Sequence, residues 1–386
     1  MLELLSLIQT SWQGTVLTEE EWRSLFSVAR RYRILSSLTC LLDEAKPPEE
    51  LRHALRAAYY QVASLAVLRE QVLLRVLGAL EEAAIPVVLL KGAALAYTLY
   101  SDPACRPMGD FDLLVREEDL FRAATVLEGE GFTPDREAYG DPLQFAVVGS
   151  KQLPLRCGAA PVPVLVELHT DLIGLSWFRR CAHIELSEVW ERTRPVEIKG
   201  RAARLLSLED TLLHLSLHLA LHHSFVHPTG YLDLLLLLRR HGEELNWEVV
   251  VRNARAYRLQ VATWQTLELL KTAGVSIPEQ VQRELRPSRW RRRVLAQLLL
   301  SPHVMREGKA PLRGEGKRFL GLLLVDDLVR LPAVIVKGMF PGRAWIAARY
   351  GLARPYEVTM RTLTYPLEVV LQGGRVLWGR KNKAAP

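Results

Sequence analysis

This 386-residue sequence has no run of 18 or more uncharged apolar residues, the length a helix needs to cross a bilayer. Its most apolar stretch, residues 231–239, is too short and carries Asp233. Residues 1–12 lack a basic leader and a small-residue cleavage site, so no secretory signal is expected. Cysteine is scarce. Cys40, Cys105, Cys157 and Cys181 are scattered without a CxxC pair, which speaks against a zinc site or a disulfide framework and suits a reducing cytoplasm. Dense charge is missing as well: with 24% charged and 49% apolar residues, wholesale disorder is excluded. A chain of this length can bury the cores of two or three domains.

Positive charge is present but local. Residues 281–350 hold 15 Lys+Arg against 5 Asp+Glu, whereas the whole chain carries +7, so the remainder is net acidic. Such an excess concerns a partner rather than the fold. A solvated face, an RNA-binding surface and an anionic lipid surface are the three readings of this region, whose densest part is Arg289-Trp290-Arg291-Arg292-Arg293.

The informative stretch is residues 85–115, IPVVLLKGAALAYTLYSDPACRPMGDFDLLV. Pro86 to Leu90 reads as a short buried strand, broken at Lys91-Gly92, and Ala93 to Tyr100 as a short helix. A proline-containing loop and Gly109 lead to a second strand, Asp110 to Val115. Alternation puts Phe111, Leu113 and Val115 on one face and Asp110 and Asp112 on the other, about 7 Å apart at Cα. Two carboxylates on one face of an apolar strand repel unless a cation joins them. Mg²⁺ takes one or two carboxylates together with substrate phosphates. A glycine turn that opens a helix offers free N–H groups to phosphate, and Lys91 and Arg106 add charge.

Lys91-Gly92-Ala93, Arg106 and Gly109-Asp110-Phe111-Asp112 resemble the nucleotidyltransferase superfamily typified by DNA polymerase β. More narrowly, KGAAL, Tyr100, Arg106, GDFDLLV and EGEGF look like an uncharacterised bacterial nucleotidyltransferase family, firmly over residues 70–175 and more loosely to about 280. The resemblance implies an α+β fold: a small mixed β-sheet nucleotidyltransferase core with flanking helices, plus N-terminal and C-terminal helical regions. It implies two Mg²⁺ ions (or Mn²⁺) on Asp110, Asp112 and a third acid, Glu167, on the strand Val164–His169. A surface position on an edge strand is the alternative for Glu167. Lys91, Gly92, Ala93, Arg106 and Gly109 would bind the nucleoside triphosphate, ATP by preference. Ala93 departs from the usual Gly or Ser. The implied reaction moves a nucleoside monophosphate to a hydroxyl acceptor (small molecule, protein or RNA) and releases pyrophosphate. An RNA-modifying enzyme using the basic region, or an inactive nucleotide-binding module, are the alternatives.

The rest of the chain reads as helices. Residues 1–68 form an N-terminal helical region, with Thr18 and Glu21 as a capping box and a long helix from Pro47 to about Ala84. A nucleotidyltransferase domain over 69–203 contains a helix from Glu117 to Gly129, short strands at Phe145–Val148 and Leu153–Leu155, a helix around Trp190 and a strand at Val196–Ile198. A helical domain over 204–290 starts at the cap Ser207, with helices over Gly230–Arg240 and Asn246–Thr272. His214, His218 and His222 share one stripe there. By spacing they are core histidines or a zinc site. The resemblance adds a third reading, in which this domain closes over the sheet and His218, His222 and Asp233, with His169, contact nucleotide or acceptor. The basic region over 291–386 holds a loop at 302–316, an apolar helix from Phe319 to Val336 interrupted by Asp326, Asp327 and Pro332, and a frayed tail from Arg375.

Overall fold

Short apolar segments between helices assemble into one seven-stranded mixed sheet of order β3-β4-β5-β2-β1-β7-β6. The protein is described here by a computed structural model that covers residues 2–42, 47–135, 140–157, 164–299 and 316–378. The strands are β1 Val88–Leu89, β2 Asp110–Leu114, β3 Phe132–Pro134, β4 Gln152–Cys157, β5 Val164–His169, β6 Arg194–Ile198 and β7 Arg201–Leu205. β2 and β5 run parallel at the centre, with Asp112 in register with Glu167 and Leu114 with His169. β5 is therefore an interior strand between β4 and β2, not an edge.

The helices follow in chain order: α1 Leu2–Trp12, α2 Glu19–Arg31, α3 Leu35–Leu41, α4 Glu49–Glu82, α5 Lys91–Thr98, α6 Leu120–Gly129, α7 Pro142–Phe145, α8 Leu186–Glu191, α9 Leu208–Leu221 and α10 Pro228–His241. α11 Trp247–Ala256, α12 Gln260–Thr272, α13 Glu279–Glu284, α14 Arg289–Leu299, α15 Gly316–Leu323, α16 Leu331–Met339, α17 Arg343–Tyr350 and α18 Pro355–Trp378 complete them. The capping box at α2 forms as expected, Thr18 accepting from the Glu21 N–H and Glu21 accepting from the Thr18 N–H. α4 is continuous through residue 68.

The pleat gives the sheet two different faces. Leu89, Phe111, Leu113, Val166 and Leu168 pack under α4 and α6 with Leu73, Leu77, Ala123 and Leu127. Each such buried side chain contributes about 1.5–3 kcal/mol, and Leu77→Ala would cost about 2–5 kcal/mol through its cavity. On the other face Val88, Leu90 and Leu114 share a core with Leu213, Leu217 and Leu234 of α9 and α10. Asp110, Asp112, Glu167 and His169 lie on this second face, beneath the helices.

Several expectations are corrected. Phe145–Val148 is helical: Asp141 accepts the Gln144 N–H at 3.1 Å and Pro142 sets the first turn of α7. The helix expected over Asn246–Thr272 breaks at Tyr257–Leu259, where Arg258 is left-handed at φ 59°. α12 is capped from a distance, since the Asp326 carboxylate accepts the N–H groups of Gln260 and Val261 at 2.8 and 2.9 Å. That cap, with Asp327 capping the short turn Leu328–Arg330 and Pro332 in the first turn of α16, accounts for the interruption expected within Phe319–Val336. A hairpin partner of β6 was not foreseen; β7 pairs with it across Lys199-Gly200, both at positive φ as a tight hairpin turn requires. Cys40 and Cys105 form a disulfide, Cα atoms 5.9 Å apart, against the expectation of none. They lie 65 residues apart and meet only because α3 packs on the turn Pro103–Cys105, a proximity that spacing cannot reveal. Arg375 belongs to α18; the tail beyond 378 and the loop at 302–315 lie outside the described residues.

Candidate functional site

Asp112 is almost fully buried, and its Oδ1 accepts two hydrogen bonds, from Lys91 Nζ at 2.7 Å and from His169 Nε2 at 2.8 Å. The same imidazole nitrogen is 3.5 Å from Glu167 Oε2. Strand register explains the meeting. Asp112 faces Glu167 across β2–β5, and His169 is two residues further along the same face. The ligand atoms of Asp112, Glu167 and His169 all lie within 4.8 Å of one another, the one cluster of three metal-ligating side chains among the described residues.

Charge in the cluster is uneven. Burial would raise the Asp112 carboxyl, but the Lys91 ammonium and the His169 hydrogen bond outweigh it and hold the group well below the usual carboxylate range. Asp110, half-buried at the strand start, is pushed up by burial and by the neighbouring Asp112 and Glu167 carboxylates, only partly relieved by Lys91 and Arg106. His169 loses charge through burial, yet its hydrogen bonds to Asp112 and Glu167 win and raise it. Lys91 and His169 thus satisfy Asp112, while Asp110 beside it is left short of positive charge.

Lys91 opens α5 with φ 44°, a left-handed conformation that costs a lysine about 1–3 kcal/mol and is held here by its bond to Asp112. The N–H groups of that first turn, Lys91 to Ala93, have no carbonyl of their own helix to bond. Gly92 is required for space, because a Cβ there would sit 2.9 Å from a guanidinium nitrogen of Arg106. The Ala93 side chain is fully buried in the core under the sheet, so a hydroxyl at that position would not point into the site. Gly109 is exposed at the open end of β2.

Arg106 and Asp233 hold each other. Arg106 Nε and Nη2 donate to the two Asp233 oxygens at 3.2 and 2.9 Å, and the Tyr100 hydroxyl donates to Asp233 at 2.9 Å. Asp233 is 1% exposed, so its carboxylate is spent inside the protein, tying α10 to the loop between α5 and β2. Burial disfavours the Arg106 charge, but Asp233 outweighs it and raises its pKa.

α9 lies across the site. His214, His218 and His222 stack along it, with ring centroids 6.4 and 4.9 Å apart, and His223 and His227 continue the column. Burial, then the nearby Lys91 charge, lowers the pKa of His214 to about 3 and of His222 to about 4, so both are neutral at pH 7. Both ring nitrogens of His214 are buried without a hydrogen-bond partner among the described residues. Sequence reading placed this stripe but not the Lys91–Asp112–His169 link; the only signal for it was the Glu-x-His spacing on β5. A cavity of about 10 Å³ lies between His169, Gln152, Lys91 and the histidines, and one of about 170 Å³ opens behind Lys91.

No curated protein matches the chain. Among solved structures, an antigenic nucleotidyltransferase-like protein from Paracoccidioides brasiliensis is similar with 17% identity and a TM-score of 0.34, over 55% of this chain and 96% of that one. A family model described as uncharacterised nucleotidyltransferase matches residues 18–273, which include every residue of the site. The chain belongs to that nucleotidyltransferase family.

Proposed function

We propose that the protein moves a nucleoside monophosphate from a nucleoside triphosphate, ATP by preference, to a hydroxyl acceptor, with pyrophosphate as the second product. The observation that carries this reading is the convergence of Asp112, Glu167 and His169 beside the free N–H groups of the α5 first turn. Two carboxylates and an imidazole suit a divalent cation, Mn²⁺ as well as Mg²⁺. The Lys91 ammonium, 2.7 Å from Asp112, already stands where positive charge is needed. Asp112, Glu167 and His169 would hold one ion, and Asp110 with Asp112 a second. When bound, such ions lower the acceptor hydroxyl's pKa and neutralise the departing pyrophosphate.

The protein's own groups do the rest. Lys91, displaced from Asp112, neutralises the β- and γ-phosphates, while the Gly92 and Ala93 N–H groups cradle them. Arg106, braced by Asp233, adds fixed charge beside the same turn. Attack on the α-phosphorus is in line, and positioning with charge neutralisation supplies most of the rate. The triphosphate enters from the Gly109–Asp110 end of β2, where Gly109 is exposed and Asp110 half-buried. Ala93 gives no support to an inactive module, because its side chain faces the core.

Incubation with α-labelled ATP, Mg²⁺ and small-molecule, protein and RNA acceptor pools tests the reading. Labelled product and pyrophosphate that vanish in Asp112→Asn support it; transfer at the wild-type rate in that variant overturns it.

A further inference from the structure

The C-terminal helices carry an apolar surface that the catalytic reading does not use. On α18, Tyr356, Met360, Leu363, Leu367 and Leu371 are 55–71% exposed. At 3.6 residues per turn they fall within an arc of about 80°, one continuous stripe along the helix. The opposite face is what packs: Val358 is buried, and Arg361 lies over the Tyr350 ring of α17. α16 adds Ile335 and Val336, with Phe340 just beyond its end, all more than half exposed. Scattered surface apolars are ordinary, but a helix-long stripe of large ones is a contact surface.

Charge decides what it contacts. Residues 316–378 hold nine Lys+Arg against four Asp+Glu, and the sequence adds Arg380, Lys381 and Lys383 with no further acid. Lys337, between Val336 and Phe340, is exposed and has no carboxylate of the described residues within ion-pair distance. Among the described residues Arg343 donates only to the Thr359 hydroxyl and the Pro355 carbonyl. A second copy of the chain would set two such basic surfaces against each other. Nucleic acid would meet the cations but leave the leucines in water. An anionic bilayer answers both features, with acyl chains for the stripe and headgroup phosphates for the cations. No helix among the described residues is long and apolar enough to cross a membrane, so the contact lies in the interface plane.

We propose that α16 and α18 dock the protein on anionic phospholipid membranes, with the stripe Met360–Leu363–Leu367–Leu371 set among the acyl chains. The inference does not rest on the catalytic reading, and its test uses no activity. The full chain is floated with vesicles of phosphatidylcholine alone and of equimolar phosphatidylcholine and phosphatidylglycerol. It floats with the mixed vesicles and stays behind with the neutral ones, and added salt weakens the association. Leu363→Gln with Leu367→Gln lowers partitioning by roughly tenfold or more, and Lys337→Glu by a smaller factor. Both changes are at exposed positions, so the thermal midpoint stays at the wild-type value. Equal flotation with both vesicle types, none with either, or wild-type flotation of the double leucine variant each overturns the proposal. So does a wild-type dimer that the leucine variant loses, which would assign the stripe to a second copy, or flotation abolished by an equimolar RNA oligonucleotide.

Discussion

Asp112 and Asp233 are both almost fully buried carboxylates held by two donor side chains, an ammonium and an imidazole in one case and a guanidinium and a hydroxyl in the other, yet they differ in what surrounds them. Asp233 is satisfied: Arg106 spans both of its oxygens and Tyr100 completes the set, with no second carboxylate bonded to that cluster. Asp112 gives one oxygen to two donors, Lys91 and His169, while Asp110 and Glu167 crowd beside it and Asp110 is pushed toward protonation. A closed ion pair fixes one conformation. A cluster in which a neighbouring carboxylate, Asp110, stays short of positive charge has room for a cation from outside. The contrast separates a brace from the candidate reaction centre, although from the sequence both were aspartates among apolar residues.

The contrast breaks most sharply in activity. Asp110→Asn or Glu167→Gln should slow nucleotidyl transfer by at least about 10³-fold, near 4 kcal/mol of barrier, while the urea unfolding midpoint stays put or rises as repulsion is relieved. Loss of fold with loss of rate would make the site another brace. Asp233→Ala should do the reverse, lowering stability by about 3–5 kcal/mol because the Arg106 charge is left buried and unpaired. Pairing it with Arg106→Met should recover most of that loss in urea titrations. The double variant should still transfer slowly if Arg106 serves the phosphates, and at the wild-type rate if it only braces.

Acid sharpens the contrast further. His214 and His222 have folded-state pKa values of about 3 and about 4, below the imidazole value of about 6.5 expected when unfolded. The unfolded chain takes up their protons first, so stability is full above about pH 6.5. It then falls toward pH 4 by about 1.4 kcal/mol per pH unit for each such histidine. In His214→Leu the slope should lessen by one histidine's share, measured by unfolding at several pH values. The smallest effect belongs to Gly92→Ala. Its Cβ would press on Arg106 and should cost about 1–2 kcal/mol in stability, with a larger proportional loss in ATP affinity than Ala93→Gly.

Much of the site was legible in the sequence because strand alternation is rigid. Asp110 and Asp112 had to share a face, as did Glu167 and His169, and Lys91-Gly92 had to break the first strand. What was not legible depended on packing between distant segments. That Arg106 is braced by Asp233, 127 residues away, shows only once α10 packs against its loop. Asp326 looks like a fault in an apolar helix until it caps α12 across 66 residues. Phe145–Val148 has a strand's composition, and only the Asp141-Pro142 cap turns it into helix, a local signal outweighed by β-branched content. The pairing of Cys40 with Cys105 has no sequence signature at all.

The most direct test of the central claim is pyrophosphate release from ATP, with divalent metal present or chelated, by the wild type and by Asp112→Asn at matched stability. The account predicts release that needs both the metal and the aspartate and restarts when Mg²⁺ or Mn²⁺ is restored. Metal-independent release, or equal release by the two proteins, would contradict it.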